Sequence, residues 1–203
     1  QGYFKYLAGT RSIKKYYYKW DKKYDSYMIF DHEKEQELRK TGKTLVLGDP
    51  ERYNQERLFL PESGQDIMAA YSSEKIYSAY GIMVGTKKSD KYNLKFICAL
   101  LNSELITFYC IEKEILRKGN KATPHVGVKG LNSIPIPSFN NLNQKPFIQL
   151  VDQILSITKD DDYLDNPDKK TKVKRLEKEI DQLVYKLYEL TPEEIKIVEE
   201  AKK

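Results

Sequence analysis

Between Gly9 and Trp20 the chain reads GTRSIKKYYYKW, which places one arginine, three lysines, three tyrosines and a tryptophan within twelve positions. Cationic groups neutralise phosphates and aromatic rings stack on bases, so this mixture suits a nucleic-acid surface. It equally suits a plain strand with a basic outer face, because Tyr and Trp favour strands and Lys is common on solvent faces. Arg11, Lys14, Lys15 and Lys19 are the first candidates for DNA contact. In an extended stretch Lys15 and Lys19 share one face and Lys14 takes the other, so not all can face DNA. A solvated face, or a hinge to a neighbouring domain, is the competing use. Tyr16, Tyr17 and Tyr18 must divide between the two faces, with Tyr17 or a neighbour in the core.

A second basic stretch, IEKEILRKGNKATPHVGVKG, is punctuated by glycines and reads as a loop. It carries Arg117, Lys118, Asn120, Lys121, His125 and Lys129. Arginine and asparagine forks match the major-groove edges of guanine and adenine, so this loop is a candidate base reader. An ordinary surface loop has the same composition. Lys87 and Lys88, at an expected strand end, fit phosphate contacts better than base readout. His125 fits a neutral hydrogen-bonding role better than metal ligation.

Charge is distributed in support of two anchoring blocks. The 203 residues carry a net +5, with +5 in residues 1–43 and +5 again in residues 85–130. Residues 44–84 carry −3 and the tail from Lys159 carries −2. A polyanion is expected at the blocks and away from the tail.

Enzyme signatures are absent from the sequence. There is no phosphate-binding G-x-x-x-x-G-K-[ST] loop, no G-x-G-x-x-G turn and no G-x-S-x-G elbow. HEKEQ at His32 begins like a zinc-protease helix, but Gln36 stands where the second imidazole is needed. GDPE at Gly48–Glu51 reads as a turn. Two histidines and two cysteines far apart make a zinc site a poor expectation. Cys98 and Cys110 fall in one expected helix, about 18 Å apart along its axis, too far to pair or share a metal. Free thiols point to a reducing, cytosolic setting. No apolar run approaches the roughly 18 residues that span a bilayer, so a soluble, cytoplasmic protein is expected. The start at Gln1 is read as the beginning of a fragment, or as a remnant of tag removal.

The elements that must carry these residues divide into two kinds. YMIFD, TLVLG, RLFLP, DIMAAY and KIYSAYGIMVGTK read as strands, with a short exposed helix over EKEQELRKTG ending at Gly42. From about Asp90 the apolar period changes. Leu94, Ile97, Leu101, Leu105 and Phe108 follow helical spacing over NLKFICALLNSELITFYC. LNSIPIPSF must be extended, because alternating prolines forbid a helix. A helix capped by Asn143 follows, then a polar linker over TKDDDYLDNPDKKTK. Beyond it lies an amphipathic helix with Val173, Leu176, Ile180, Leu183, Val184 and Leu187 on one side. Thr191-Pro192-Glu193-Glu194 reads as a capping box opening a last short helix. The helical stripes read as packing surfaces rather than DNA contacts.

LKFICALLNSELITFYC, VKGLNSIPIP, QKPFIQLVDQIL and IDQLVYKLYELTPEEIKIVE, in that order, resemble the C-terminal region of type IIG restriction-modification enzymes. More narrowly, the chain resembles the TaqI-like C-terminal specificity domain, a relative of the target recognition domains of type I specificity subunits. GTRSIKKYYYKW resembles the family's entry motif and RLFLPESGQDIMAAY its central strand pair. The likeness runs from about Gly9 to Glu199.

The resemblance implies a division of labour. An upstream methyltransferase domain of the same parent chain binds S-adenosylmethionine and methylates adenine, often with a nuclease before it. The Asn/Asp-Pro-Pro-aromatic signature of that chemistry is absent here. No cofactor is expected in this chain; S-adenosylmethionine, with Mg2+ as a second candidate, belongs to the parent enzyme. The expected architecture is α+β: a mixed or antiparallel, β-rich target recognition domain over residues 1–140, with a C-terminal helical extension over 141–203. The expected function is sequence-specific recognition of double-stranded DNA, without catalysis, in a bacterial or archaeal adenine-N6 methyltransferase. The alternative is a protein-interaction module that docks a methyltransferase or nuclease partner without reading bases.

Overall fold

The computed structural model describes residues 3–29, 31–42, 50–116, 124–137 and 141–201. Within them lie six strands: β1 (Tyr3–Leu7), β2 (Ser26–Ile29), β3 (Arg57–Pro61), β4 (Ala70–Ser72), β5 (Tyr77–Ser78) and β6 (Ile82–Thr86). Seven α-helices accompany them among the described residues: α1 (His32–Lys40), α2 (Leu94–Asn102), α3 (Glu104–Glu112), α4 (Val128–Leu131), α5 (Asn141–Thr158), α6 (Pro167–Leu187) and α7 (Pro192–Glu200). The fold is α+β.

Two three-stranded sheets form, with orders β2-β1-β5 and β4-β3-β6. β1 pairs antiparallel with β2, from Tyr3 opposite Ile29 to Tyr6 opposite Ser26, and parallel with β5 through Tyr6 and Leu7. In the second sheet β3 is central and antiparallel to both neighbours.

Strand β3 is buried on both faces, and its period-two alternation assigns each side chain to a layer. Phe59 joins Leu7, Ile13, Ala70 and Ile76 in the apolar layer between the sheets. Leu58 and Leu60 point the other way, into the main core with α2, α5 and α6. That core is one cluster running from Tyr16 and Leu58 through Phe96, Leu100, Phe147, Val151 and Ile154 to Leu176, Ile180 and Val184. Residues on both sides of position 140 therefore share it.

Arg57, on the Phe59 side of β3, has no exposed surface. Its guanidinium donates to four backbone carbonyls: Tyr53 and Gln55 at 2.6 Å, Glu74 at 2.5 Å and Ile76 at 3.3 Å. The planar fork thus ties the turn before β3 to the segment entering β5.

The expected single helix over residues 93–110 is two helices. Ser103 adopts an extended backbone (ψ 154°) and belongs to both ends. Its hydroxyl donates to the Leu100 carbonyl at 2.7 Å and accepts from the Ile106 amide at 3.3 Å, and the axes bend by 64°. Cys98 and Cys110 therefore sit on separate helices, both buried and free.

The C-terminal helices are joined to this body by polar clamps. Gln144 accepts from the Asn93 amide at 2.8 Å and donates to the Lys91 carbonyl at 2.9 Å, fixing α5 against the start of α2. The Asp181 carboxylate accepts from the Glu104 amide at 2.9 Å, an orphan donor of the first turn of α3. Tyr92 and Tyr188 donate to the carbonyls of Pro137 and Pro135, which holds the proline-rich segment between two helices. The polar linker is short in the structure, because a 3-10 turn at Tyr163–Asp165 leads directly to Asn166, which caps α6 by accepting from Lys169. The expected strand over TLVLG lies outside the described residues.

Candidate nucleic-acid interface

The basic-aromatic stretch is not a strand. A 3-10 turn occupies Thr10–Ser12, and the chain then doubles back, with Ile13 opposite Tyr18 and the Lys19 amide bonded to the Ser12 carbonyl at 2.9 Å. Tyr16 stands at φ 71°, its amide on the Ala69 carbonyl and its carbonyl receiving the Tyr71 amide. Burial of the ring, at 1% exposure, offsets the cost of that left-handed backbone. Tyr16 is thus the core residue of the three tyrosines, while Tyr17 and Tyr18 are half-buried.

Asp25 organises the stretch. Its buried carboxylate accepts from the Ala8 amide at 2.9 Å, the Ser12 hydroxyl at 2.7 Å and the Asp21 amide at 3.0 Å. Three points of the loop over residues 8–25 are thereby fixed to one anionic group, using charge-assisted bonds. Cations stand over rings on the outer side of this frame. The Arg11 guanidinium lies 4.5 Å from the Tyr24 ring centroid, and Lys23 approaches the same ring at 5.1 Å. Lys5 lies 5.4 Å from the Trp20 ring, whose neighbour is Tyr27 at 5.0 Å. Tyr3, Tyr24 and Tyr27 are exposed.

The other candidates distribute unevenly. Arg11 and Lys14 are exposed. Lys15 is half-buried and donates to the Asn102 carbonyl at 3.1 Å, the C-terminal end of α2. Lys19 forms an ion pair with Asp161 at 3.8 Å, and Lys87 one with Asp90 at 3.3 Å. Lys88 is exposed. Arg117, Lys118, Asn120 and Lys121 lie outside the described residues. His125 is exposed opposite Ser63, and Lys129 is exposed in α4.

Backbone hydrogen bonds gather part of this set at one edge. Leu7 is joined to Ala79, Gly81 to Glu62, and Glu62 to Val126, each at 2.9 Å. This run connects the strand end before Arg11, the β5–β6 turn and the segment of His125. At the tip of that turn Tyr80 is 98% exposed, next to Gly81 at φ 88°.

Sequence reasoning passed over Lys5, Lys23, Tyr24, Tyr27 and Tyr80. The signal for Lys5 was the alternation in YFKYL, a strand at the start of the chain whose Tyr3, Lys5 and Leu7 share a face. Nothing local marks Asp25 as the organiser, because its partners lie up to 17 residues away.

Among the described residues, no group of three His, Cys, Asp or Glu side chains is placed to hold a metal. No single helix there is long and apolar enough to cross a membrane. What the fold presents is an α+β module whose first two strands and the loop between them set cations against aromatic rings.

The chain belongs to the TaqI-like C-terminal specificity domain family, whose model matches residues 4–136. Helices α5 to α7 lie beyond those residues. One solved structure with a similar fold is that of the type IIL restriction-modification enzyme MmeI in complex with DNA. The TM-score is 0.57 at 12% identity, covering 93% of this chain and 28% of that one. The chain thus spans little more than a quarter of the length of that protein. No curated protein matches it.

Proposed function

We propose that this chain is the DNA-reading module of a type IIG-like restriction-modification methyltransferase, and that it takes no part in catalysis. The cation-over-ring pairs of Arg11 with Tyr24 and Lys5 with Trp20 carry this reading, because together they supply phosphate neutralisation and a stacking surface. Family membership supports it, since a specificity domain selects where a partner domain acts. The likeness in fold to an enzyme solved with DNA supports it further.

In this reading an upstream domain of the parent chain holds S-adenosylmethionine and methylates adenine at N6. Lys5, Arg11, Lys14, Lys23 and Lys88 anchor the phosphates of double-stranded DNA. Arg117, Lys118, Asn120 and Lys121, together with His125 and Lys129, meet base edges. The setting is the cytoplasm of a prokaryote.

The test is duplex affinity as a function of salt. Each phosphate contact contributes about 0.9 to the slope of log K against log[salt]. Arg11→Ala and Lys5→Ala are each expected to reduce the slope by roughly one contact. A slope unchanged in both variants would move the function to docking of a protein partner.

A further inference from the structure

A cleft of about 310 Å3 opens between the strands and the C-terminal end of α5, on the same side as Lys5 and Trp20. That volume is near the lower bound of small-ligand sites, about 300–1,000 Å3. A volume of that order admits one nucleobase with its phosphate.

Three kinds of group line it. Tyr18 and Trp20 contribute rings. Lys5, Lys19 and Lys159 contribute cations. Asp161 pairs with Lys19, but its side chain is fully exposed, so the pair is easily exchanged for a phosphate. Ser72 and Glu74 contribute hydrogen-bonding groups, and the Glu74 carboxylate accepts from the Tyr18 hydroxyl through one oxygen, at 3.0 Å. Burial holds the Tyr18 hydroxyl protonated, with its pKa pushed up to about 12, so it remains a donor to Glu74 at neutral pH. Rings for stacking, cations for a phosphate and an anionic acceptor for an amino edge are the three requirements of an unpaired nucleotide.

We propose that this cleft binds a single unstacked nucleotide of a DNA strand, with the base against Trp20 and the phosphate among Lys5, Lys19 and Lys159. Glu74 selects bases that carry an exocyclic amine, adenine, cytosine and guanine, over thymine, which has none. The inference rests on the DNA-reading function above and adds a ligand that a paired duplex does not offer.

Trp20 is the only tryptophan in the chain, so its emission reports the cleft directly. The experiment titrates the protein with a fully paired duplex and with duplexes carrying one unpaired adenine or one unpaired thymine. The expected result is quenching of Trp20 by the unpaired adenine and affinity roughly tenfold above the paired duplex. The unpaired thymine binds less well than the adenine, and Glu74→Gln removes that difference. Arg11→Ala weakens all three duplexes alike. Equal affinity for the three duplexes with unchanged Trp20 emission would overturn the cleft assignment and leave duplex reading intact. Failure to bind any of them at low salt would overturn both.

Discussion

The Asp25 carboxylate accepts a 2.7 Å hydrogen bond from the Ser12 hydroxyl, although thirteen residues separate them. With the amides of Ala8 and Asp21 on the same carboxylate, it sets the path of the loop that carries Arg11 and Lys19. Asp25 is buried, so in the proposed function it would act on binding through the geometry of its neighbours.

Asp25→Ala is therefore expected to weaken duplex binding although it removes a negative charge. Loss of the acceptor leaves buried donors unsatisfied, at about 1–3 kcal/mol of stability. Asp25→Asn keeps one acceptor oxygen and retains more of both. Denaturant unfolding and duplex titration of the two variants check this. Tighter binding by Asp25→Ala would show that bulk charge outweighs loop geometry.

Asn102 performs a similar task inside the core. Its side-chain amide accepts from the Ala69 amide at 3.0 Å and donates to the Ala69 carbonyl at 2.8 Å, so α2 ends as an extra rung beside β4. Asn102→Asp cannot donate to that carbonyl and places a charge in a site that is 2% exposed. A loss of at least about 2 kcal/mol is expected in urea unfolding. Lys15→Ala, which frees only the Asn102 carbonyl, costs less, about 1 kcal/mol.

Arg57→Lys tests the fork that holds four carbonyls. An ammonium has three donors and no planar spread, so it cannot replace the guanidinium across both segments. Burial already disfavours the charge, lowering the pKa of Arg57, and no carboxylate is among its hydrogen-bond partners. The expected cost is about 3 kcal/mol or more by thermal unfolding. Arg57→Met, which removes the charge but leaves the carbonyls unpaired, is expected to be destabilising as well.

Alkaline pH should loosen the fold in a definite window. Burial raises Tyr18 and Tyr188 to about 12 from an ordinary 10.0, and raises Tyr17, Tyr71 and Tyr185 further. The folded state thus keeps protons that the unfolded chain releases. The associated stability is complete below the unfolded value of about 10 and is lost as pH rises towards about 12. Urea midpoints across that range should fall while tyrosinate absorbance appears late. Cys98 has no exposed surface, and burial pushes Cys110 up to about 11. Alkylation of both at neutral pH should therefore follow unfolding.

Local chemistry made several elements legible in the sequence. Helix α1 ends before Gly42 at φ 78°, and Thr191 with Glu194 forms the capping box, because each depends on residues within a few positions. β3 and β6 followed from short apolar and aromatic runs between turn residues, and the face of α6 from apolar periodicity. The break at Ser103 was hidden by an apolar pattern that continues across it, although Asn-Ser before Glu104 is a cap signal. α5 begins at Asn141, two residues before the expected Asn143 cap, with Pro146 inside its first turns. The candidate interface was half legible. Composition marked the loop after Gly9, but its backbone is set by Asp25, Ala69 and Tyr71, contacts no local pattern reveals. Among family-like motifs, Asn102, Gln144 and Asp181 are clamps between elements, so the residues that carried the resemblance hold the scaffold.

Selection from a pool of random-sequence duplexes at two salt concentrations tests the central claim most directly. The account predicts an enriched motif at both, with total binding falling as salt rises and the motif unchanged. Retention of DNA with no enriched motif at either concentration would contradict it.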